Sequence, residues 1–272
     1  MDVDEVSKAV GAVLRRLKDL SQLWHQTRDA YFQPERFRLS LQSTIATART
    51  VTFILQSNKA AIPDFDSWYE AVQAKFKADP IMRWAVNARN KVEKQGDLAT
   101  LSQIRIELVA SYAGHPSTTW APASVFASLG DIRRSIPESL LDDHVRKHGV
   151  LCVQRRWVDE ELPDHEILDA LAHVYGQLAQ MIVELHHHIG VIIPDGGPGK
   201  GEHLLLSPLP DGRQKSMEVL EAERTIYIAV RDGREMEIGR IPKGPPSVKV
   251  TRLARKRYGK DAWAGLKEAR TF

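Results

Sequence analysis

The chain has 272 residues, 43% hydrophobic and 27% charged, so it can form the packed core of one large or two modest domains. Its one cysteine, Cys152, excludes an intrachain disulfide and a cysteine-rich zinc site, and we expect it to be a small buried hydrophobe in a strand. The acidic first residues do not resemble a secretory signal, and no apolar run approaches the ~20 residues of a membrane span. We therefore expect a soluble cytoplasmic protein, of bacterial type, that has no membrane partner.

The net charge of +3 is unevenly distributed along the chain. Residues 231–270 contain twelve Lys or Arg and five Asp or Glu, which leaves the remainder mildly acidic. This asymmetry predicts a basic end that contacts something anionic. A solubilising tail would have the same composition.

The first part of the chain has the apolar period of amphipathic helices. Apolar residues at spacings of three and four predict one helix over 3–31 and a second over 34–58. Pro34 is suited to the first turn of the second helix.

Two shorter helices are predicted next. Asp64 or Asp66 is placed to cap a helix over 65–78. A fourth helix runs over 80–95 and stops at Gly96. Two long helices against a shorter pair predict a compact all-helical unit.

The helical period is lost over residues 100–160, which we interpret as a loop-rich insertion in the helical domain. Alternating apolar residues predict strands over 104–112 and 150–158. The helical period returns after Asp164, a candidate cap, and continues to Gly190, which predicts a later helix of the same bundle.

The last part of the chain is predicted to be a separate module. Residues 193–203 are rich in Gly and Pro and read as a linker. Two alternating runs over 224–241 flank an Asp-Gly pair, which is a strong hairpin signal. The predicted organisation is a helical domain over 1–192, the linker, and a small basic α/β module over 204–272.

Three segments together resemble HEPN-type helical domains. They are ATARTVTFILQ (46–56), IPDFDSWYEA (62–71) and DPIMRWAVNARNKVEKQGDL (79–98). Residues 37–98 carry the resemblance, which covers about the first hundred residues and includes the helix over 164–189 as a further candidate. It implies a mainly α fold, a HEPN-like helical bundle to which the loop-rich insertion and the small α/β module are added.

The resemblance also implies a set of site residues. Family domains carry Arg, a polar residue, a few spacers and then His; the Arg polarises a phosphate and the His transfers a proton. Arg89 and Asn90 match the first two positions, while Lys94, Gln95 or Gly96 fills the His position. An ordinary Lys stays protonated and serves only as an acid or an electrostatic clamp. We therefore expect RNA binding, or RNA cleavage by an altered motif, with Arg89, Asn90 and Lys94 as the catalytic set.

The family resemblance further implies a homodimer, metal-independent chemistry without a cofactor, and a role in stress response or antiviral defence of the toxin–antitoxin kind. The competing interpretation of Arg89 is an ordinary ion pair with Glu93 four residues later. In that case the chain would be a non-catalytic assembly protein that docks a protein partner.

The segment KVTRLARKRYGK (249–260) is a second candidate for RNA contact, because cations neutralise phosphates and an aromatic ring stacks on a base. A solvated chain end would have the same composition. The candidate nucleic-acid-binding residues are Lys249, Arg252, Arg255, Lys256, Arg257, Tyr258 and Lys260.

Histidines suggest a different class of function. His144 and His148 would share one face of a helix, and Asp142 or Asp143 would add an oxygen ligand, which predicts a metal-dependent enzyme as an alternative. The three histidines 186–188 end a predicted helix, where surface capping explains them.

Overall fold

A computed structural model of the protein describes residues 3–96, 98, 100–109, 117–122, 127–190, 217 and 224–235. Within these ranges the chain is mainly helical with a small sheet, which confirms the predicted mainly α class. Contacts divide it into two compact units. The helical unit comprises residues 1–101 and 157–219, and the sheet unit comprises residues 102–156 and 220–272.

The helices are α1 (Val3–Asp29), α2 (Pro34–Ser57), α3 (Phe65–Ala78), α4 (Pro80–Gln95), α5 (Leu129–Arg134), α6 (Asp143–His148) and α7 (Ile167–His188). Short 3₁₀ turns occupy Lys59–Ala61 and Glu138–Leu140. The first four helices confirm the predicted ones almost to the residue. No helix in the described ranges is long and apolar enough to cross a membrane.

The core of the helical unit lies around α7. This helix contacts α1, α2 and α4, and buried residues cover most of its circumference, leaving one less buried stripe through His173, Gln180 and Glu184. Leu17 and Trp24 of α1 and Phe37 of α2 are completely buried against this core. The apolar period seen in the sequence therefore marks the packed faces of α1 and α2.

Glu166 starts α7. Its Oε2 accepts hydrogen bonds from the backbone N–H of Leu168 at 2.8 Å and of Asp169 at 3.3 Å. Its Oε1 accepts one from the hydroxyl of Tyr31 at 3.2 Å. The predicted cap, Asp164, was wrong because the buried carboxylate two residues later reaches the first free N–H groups of the helix.

Indole groups fix the ends of α1 and α7 further. Trp24 donates its Nε1–H to the carbonyl of Leu168 at 2.9 Å, and Trp157 donates its own to the carbonyl of Tyr31 at 3.0 Å. The ring of Trp157 stacks on Phe37 with centroids 4.3 Å apart. Buried aromatic N–H groups are thus satisfied while their rings pack.

The predicted caps of α3 were also wrong. Asp64 occupies the N-cap position, but its backbone is left-handed (φ 46°) and its side chain makes no capping hydrogen bond. Asp66 lies inside the first turn and pairs with Lys59. Burial of Phe65 and Tyr69 holds this helix in place instead.

The sheet has the strand order β2-β1-β3-β4, where β1 is Thr100–Val109, β2 is Ser117–Pro122, β3 is Val150–Asp159 and β4 is Thr225–Ala229. β1 and β3 confirm the two predicted strands, and β2 was not predicted. β1 pairs antiparallel with β2, and Arg105 lies opposite Trp120. β3 pairs antiparallel with β4, and Cys152 lies opposite Tyr227.

The grouping of segments differs from the predicted one. Residues 102–156 belong with 220–272, rather than with the helical bundle, because β3 pairs with β4. The predicted hairpin begins as expected, since β4 leads into a turn after which Glu235 forms a bridge with Ile228. The predicted linker and the rest of the hairpin lie outside the described residues.

Candidate functional site at the polar end of α4

Asp79 holds the start of α4. Its Oδ1 accepts hydrogen bonds from the backbone N–H of Ile81 at 2.8 Å and of Met82 at 3.1 Å, and its Oδ2 lies 2.6 Å from Nε2 of His173 on α7. Burial alone would raise the pKa of the Asp79 carboxyl, but hydrogen bonds from His173 and Met82 outweigh it and hold the pKa below its usual value. The helix is therefore tied to α7 at its first turn.

The other end of α4 is fixed by a glycine and by α2. Gly96 has a φ of 85°, a left-handed conformation that favours glycine, and its N–H donates to the carbonyl of Val92. Its own carbonyl accepts a hydrogen bond from Nε2 of Gln42 at 3.0 Å. Trp84 and Ala88 are buried along the inner side. The polar residues of α4 therefore lie on a helix that is fixed at both ends.

The side chains of Arg89 and Asn90, which are neighbours in the sequence, contact each other. Nη1 of Arg89 donates to Oδ1 of Asn90 at 3.0 Å, and its Nε lies 2.8 Å from Oε1 of Glu93. One third of the Arg89 side chain is exposed (33%). The ion pair of the competing interpretation is therefore present, and it orients the guanidinium without burying it.

Lys91 extends this cluster and was not predicted as a site residue. Its Nζ lies 2.9 Å from Oε1 of Glu161, just before α7, and its side chain is 23% exposed. The hydrogen bond to Glu161 raises the pKa of Lys91, so this ammonium stays charged. The lysine stands out as part of a polar patch in the sequence, but its partner lies 70 positions later, where no local pattern could identify it.

A buried carboxyl lies behind Lys91. Asp159 is 1% exposed; its Oδ1 accepts a hydrogen bond from the backbone N–H of Glu161 at 2.8 Å. Its Oδ2 is buried beside the indole of Trp84, a donor that favours the charged form of the carboxylate. Burial raises the pKa of the Asp159 carboxyl, because a charge is poorly solvated there. This end of the helical unit therefore has a polar interior.

Lys94 is separate from the Arg89 cluster. It is exposed, and within the described part of the chain it makes no hydrogen bond or ion pair. The structure thus joins Arg89 with Asn90 but leaves the third predicted residue in solvent. An exposed ammonium is a poor substitute for an imidazole that gives and takes protons near neutral pH.

The terminal histidines of α7 are occupied elsewhere. Nε2 of His188 lies 2.6 Å from the carbonyl oxygen of Pro63, and its ring stacks on Trp68. His186 is buried, and burial lowers its pKa, so surface capping was wrong for this residue. α7 has 22 residues and a length of about 33 Å. Within one chain, His188 at its end therefore lies far from Glu161, the partner of Lys91 near its start.

The other predicted positions are not assembled into a site. His144 and His148 on α6 have ring centroids 5.2 Å apart, while the Asp142 carboxylate caps that helix through the N–H of Val145. No group of three or more His, Cys, Asp or Glu residues that could hold a metal occurs among the described residues. The predicted nucleic-acid-binding residues of 249–260 lie outside the described residues.

Comparison with known proteins identifies the family. The family described as bacteriophage lambda protein ea47 matches residues 3–269 of this chain. The chain belongs to this family. The ea47 match runs through α4 and through the segments of the sheet unit, so both units are part of what the family shares.

One curated relative is protein ea47 of Escherichia phage lambda. It is 41% identical over 167 residues, which is 60% of this chain. The aligned residues cover 40% of the lambda protein, so the match spans less than half of that relative. No solved structure matches this chain.

Proposed function

We propose that this member of the ea47 family binds RNA through the polar end of α4, on a HEPN-like helical unit that needs neither metal nor cofactor. The observation that carries the proposal is the Arg89 guanidinium, held at one third exposure by Asn90 and Glu93 on a helix fixed at both ends. Lys91 and Lys94 add two more ammonium groups within five residues.

The chemistry of this surface suits a phosphate. A guanidinium offers planar pairs of donors that match phosphate oxygens, and its cost of ordering is low when other groups already orient it. In this proposal Arg89 contacts the phosphate, Asn90 orients Arg89, and Lys91 and Lys94 add attraction that weakens with salt.

Binding is favoured over cleavage. The position of the family's His is taken by an exposed lysine or its neighbours, which do not act as both base and acid near neutral pH. His173 is paired with Asp79 at the opposite end of α4. Because the lysine lacks this ability and His173 is already paired at the other end of the helix, we propose that the cluster acts through electrostatic contact.

Fluorescence anisotropy with a labelled single-stranded RNA tests this function. We expect Arg89→Ala to weaken binding and to reduce the dependence of log K on log salt by about one. Arg83→Ala is the matched control, since Arg83 is an exposed arginine on the same helix. Equal binding by the wild type and Arg89→Ala would reject the site. Loss of labelled full-length RNA in the presence of a chelator would instead reveal metal-independent cleavage.

Assembly is the second candidate function, as a homodimer or with another protein. Leu39 and Phe53 of α2 are 55% and 60% exposed, and Val86 of α4 is 52% exposed. Leu39 and Phe53 are fourteen residues apart, which places them on one side of their helix. We propose that a second copy covers Leu39 and Phe53, in keeping with the dimer that the HEPN resemblance implies.

Light scattering after size exclusion separates these cases. Phe53→Asp is expected to convert a dimer into a monomer. Phe32→Asp is not used for comparison, because the Phe32 ring contacts Tyr31. Ala71→Asp, at an exposed position of α3, is the matched control. A wild type that is monomeric at all concentrations would leave a protein partner as the alternative occupant.

The stress or phage-defence role remains part of the proposal and would require growth arrest that depends on Arg89.

A further inference from the structure

The sheet unit contains a cavity of about 410 Å³ that is widely open to solvent and has a strongly basic lining. Four of its lining residues are arginines and one is acidic; the full set is Arg133, Arg134, Ile136, Glu138, Leu141, Arg146, Val230 and Arg231. Cavities of this size hold small-molecule ligands. The excess of guanidinium groups indicates a ligand of negative charge.

Arg133 is the fixed member of this group. Its Nη1 donates hydrogen bonds to the carbonyls of Val230 at 3.0 Å and of Arg231 at 3.4 Å. Gly233 (φ 73°) packs against it so closely that a Cβ there would lie 3.2 Å from Nε of Arg133. Nε and Nη2 of Arg133 make no hydrogen bond within the described ranges. A half-buried, oriented guanidinium therefore retains donors for a ligand.

The other three arginines are held by exposed carboxylates. Arg134 pairs with Asp131, Arg146 with Glu138 and Arg231 with Asp232, and their side chains are 71%, 50% and 67% exposed. Exposed pairs of this kind are weak, so a phosphate can displace the carboxylate at little cost. These side chains can turn toward a ligand that Arg133 has already positioned.

The aliphatic lining completes the chemistry. Ile136, Leu141 and Val230 give the cavity an apolar part beside its cations. A base or ribose needs such a surface, whereas a bare inorganic ion does not. We propose that this cavity binds the phosphate of a nucleotide, either free or within a nucleic-acid strand, independently of the α4 site.

Calorimetric titration of the full chain with ATP, with pyrophosphate and with a short single-stranded RNA tests this inference. We expect binding that weakens roughly fivefold in Arg134→Gln and again in Arg146→Gln, as exposed ion pairs of up to ~1 kcal/mol would give. Arg234→Gln is the matched control, because Arg234 is 86% exposed in the same unit and does not line the cavity. Arg133→Gln is compared only after its melting temperature is checked, because Arg133 also holds the turn.

The ligands separate the two sources of phosphate. Binding of ATP that is tighter than that of pyrophosphate and falls in Arg134→Gln indicates a free nucleotide, and binding of RNA alone that falls in the same variant indicates a strand. Equal affinities for ATP and pyrophosphate would show a general anion site and would overturn the assignment to a nucleotide. Equal affinities of the wild type and the Arg134→Gln/Arg146→Gln double variant for all three ligands would overturn the inference, as would an equal loss in Arg234→Gln. Arg89→Ala is expected to keep ATP binding, so failure at one site is distinguishable from failure at the other.

Discussion

The carboxylate of Glu93 lies 2.8 Å from Nε of Arg89, one turn further along α4. The Glu93 carboxylate therefore competes with any bound phosphate for the Arg89 guanidinium. An i,i+4 ion pair on an exposed helix contributes only about 0.2–0.5 kcal/mol. An RNA phosphodiester, which carries one negative charge and two non-bridging acceptor oxygens, can therefore displace Glu93 from the guanidinium at small cost.

Replacing the competitor should strengthen RNA binding. Glu93→Gln removes both the pairing with Arg89 and a negative charge beside the incoming phosphate, and we expect roughly threefold tighter binding at low salt. Anisotropy titration of labelled RNA measures this. Glu70→Gln, an exposed glutamate of α3, makes the same change in net charge elsewhere in the helical unit. If Glu93→Gln gained no more affinity than Glu70→Gln, Arg89 would not contact the ligand.

Loss of the Asp79 side chain should destabilise the helical unit. Asp79→Ala removes the cap of α4 and the contact with His173, which we expect to lower the free energy of unfolding by about 1–2 kcal/mol in urea denaturation. Asp66→Ala is the control, because it removes an exposed carboxylate (83%) that pairs weakly with Lys59. Equal stabilities of these two variants would contradict the assigned role of Asp79.

The lowered pKa of the Asp79 carboxyl predicts that the free energy of unfolding depends on pH. Its folded pKa is lower than its unfolded value of about 3.9, so it contributes stability above that pH. The contribution is lost as pH falls through the lowered folded pKa. The difference in unfolding free energy between wild type and Asp79→Ala should therefore shrink in acid. If this difference grew on acidification, the folded pKa of Asp79 would be raised rather than lowered.

Local chemistry made most helix boundaries predictable. Pro34 and Gly96 mark boundaries through the conformations that their own backbones favour. The start of α7 was misplaced because Asp164 and Glu166 are both plausible caps, and only burial against Tyr31 selects the second. The ion pair of Lys91 with Glu161 depends on tertiary packing, as does the pairing of β3 with β4, and neither leaves a local pattern. Arg89 and Asn90 are proposed from the HEPN resemblance, whereas the contacts around them depend on tertiary packing.

The Tyr31–Glu166 hydrogen bond should be measurable as a coupling energy. Tyr31→Phe keeps the ring and removes the hydroxyl, at an expected cost of about 1 kcal/mol. Glu166→Ala removes the cap of α7 as well and should cost about 2 kcal/mol. Because the two groups share one hydrogen bond, the double variant should lose less than the sum of the single variants. Strict additivity in urea denaturation would show that the two side chains act separately.

The thiol of Cys152 should react slowly in the folded protein. It lies on β3 opposite Tyr227 and is half-buried rather than fully buried as expected; this burial, with a smaller effect of Glu107, raises its pKa to about 11. Only about one ten-thousandth of such a thiol is ionised at neutral pH, against a few per cent of a free thiol, and the thiolate is the reactive form. We expect slow labelling by a disulfide reagent at neutral pH, acceleration as pH approaches that pKa, and immediate labelling in concentrated guanidinium chloride. Fast labelling of the native chain at neutral pH would mean that β3 and β4 separate readily, because an open sheet edge would expose the sulfur and return its pKa toward the ordinary range.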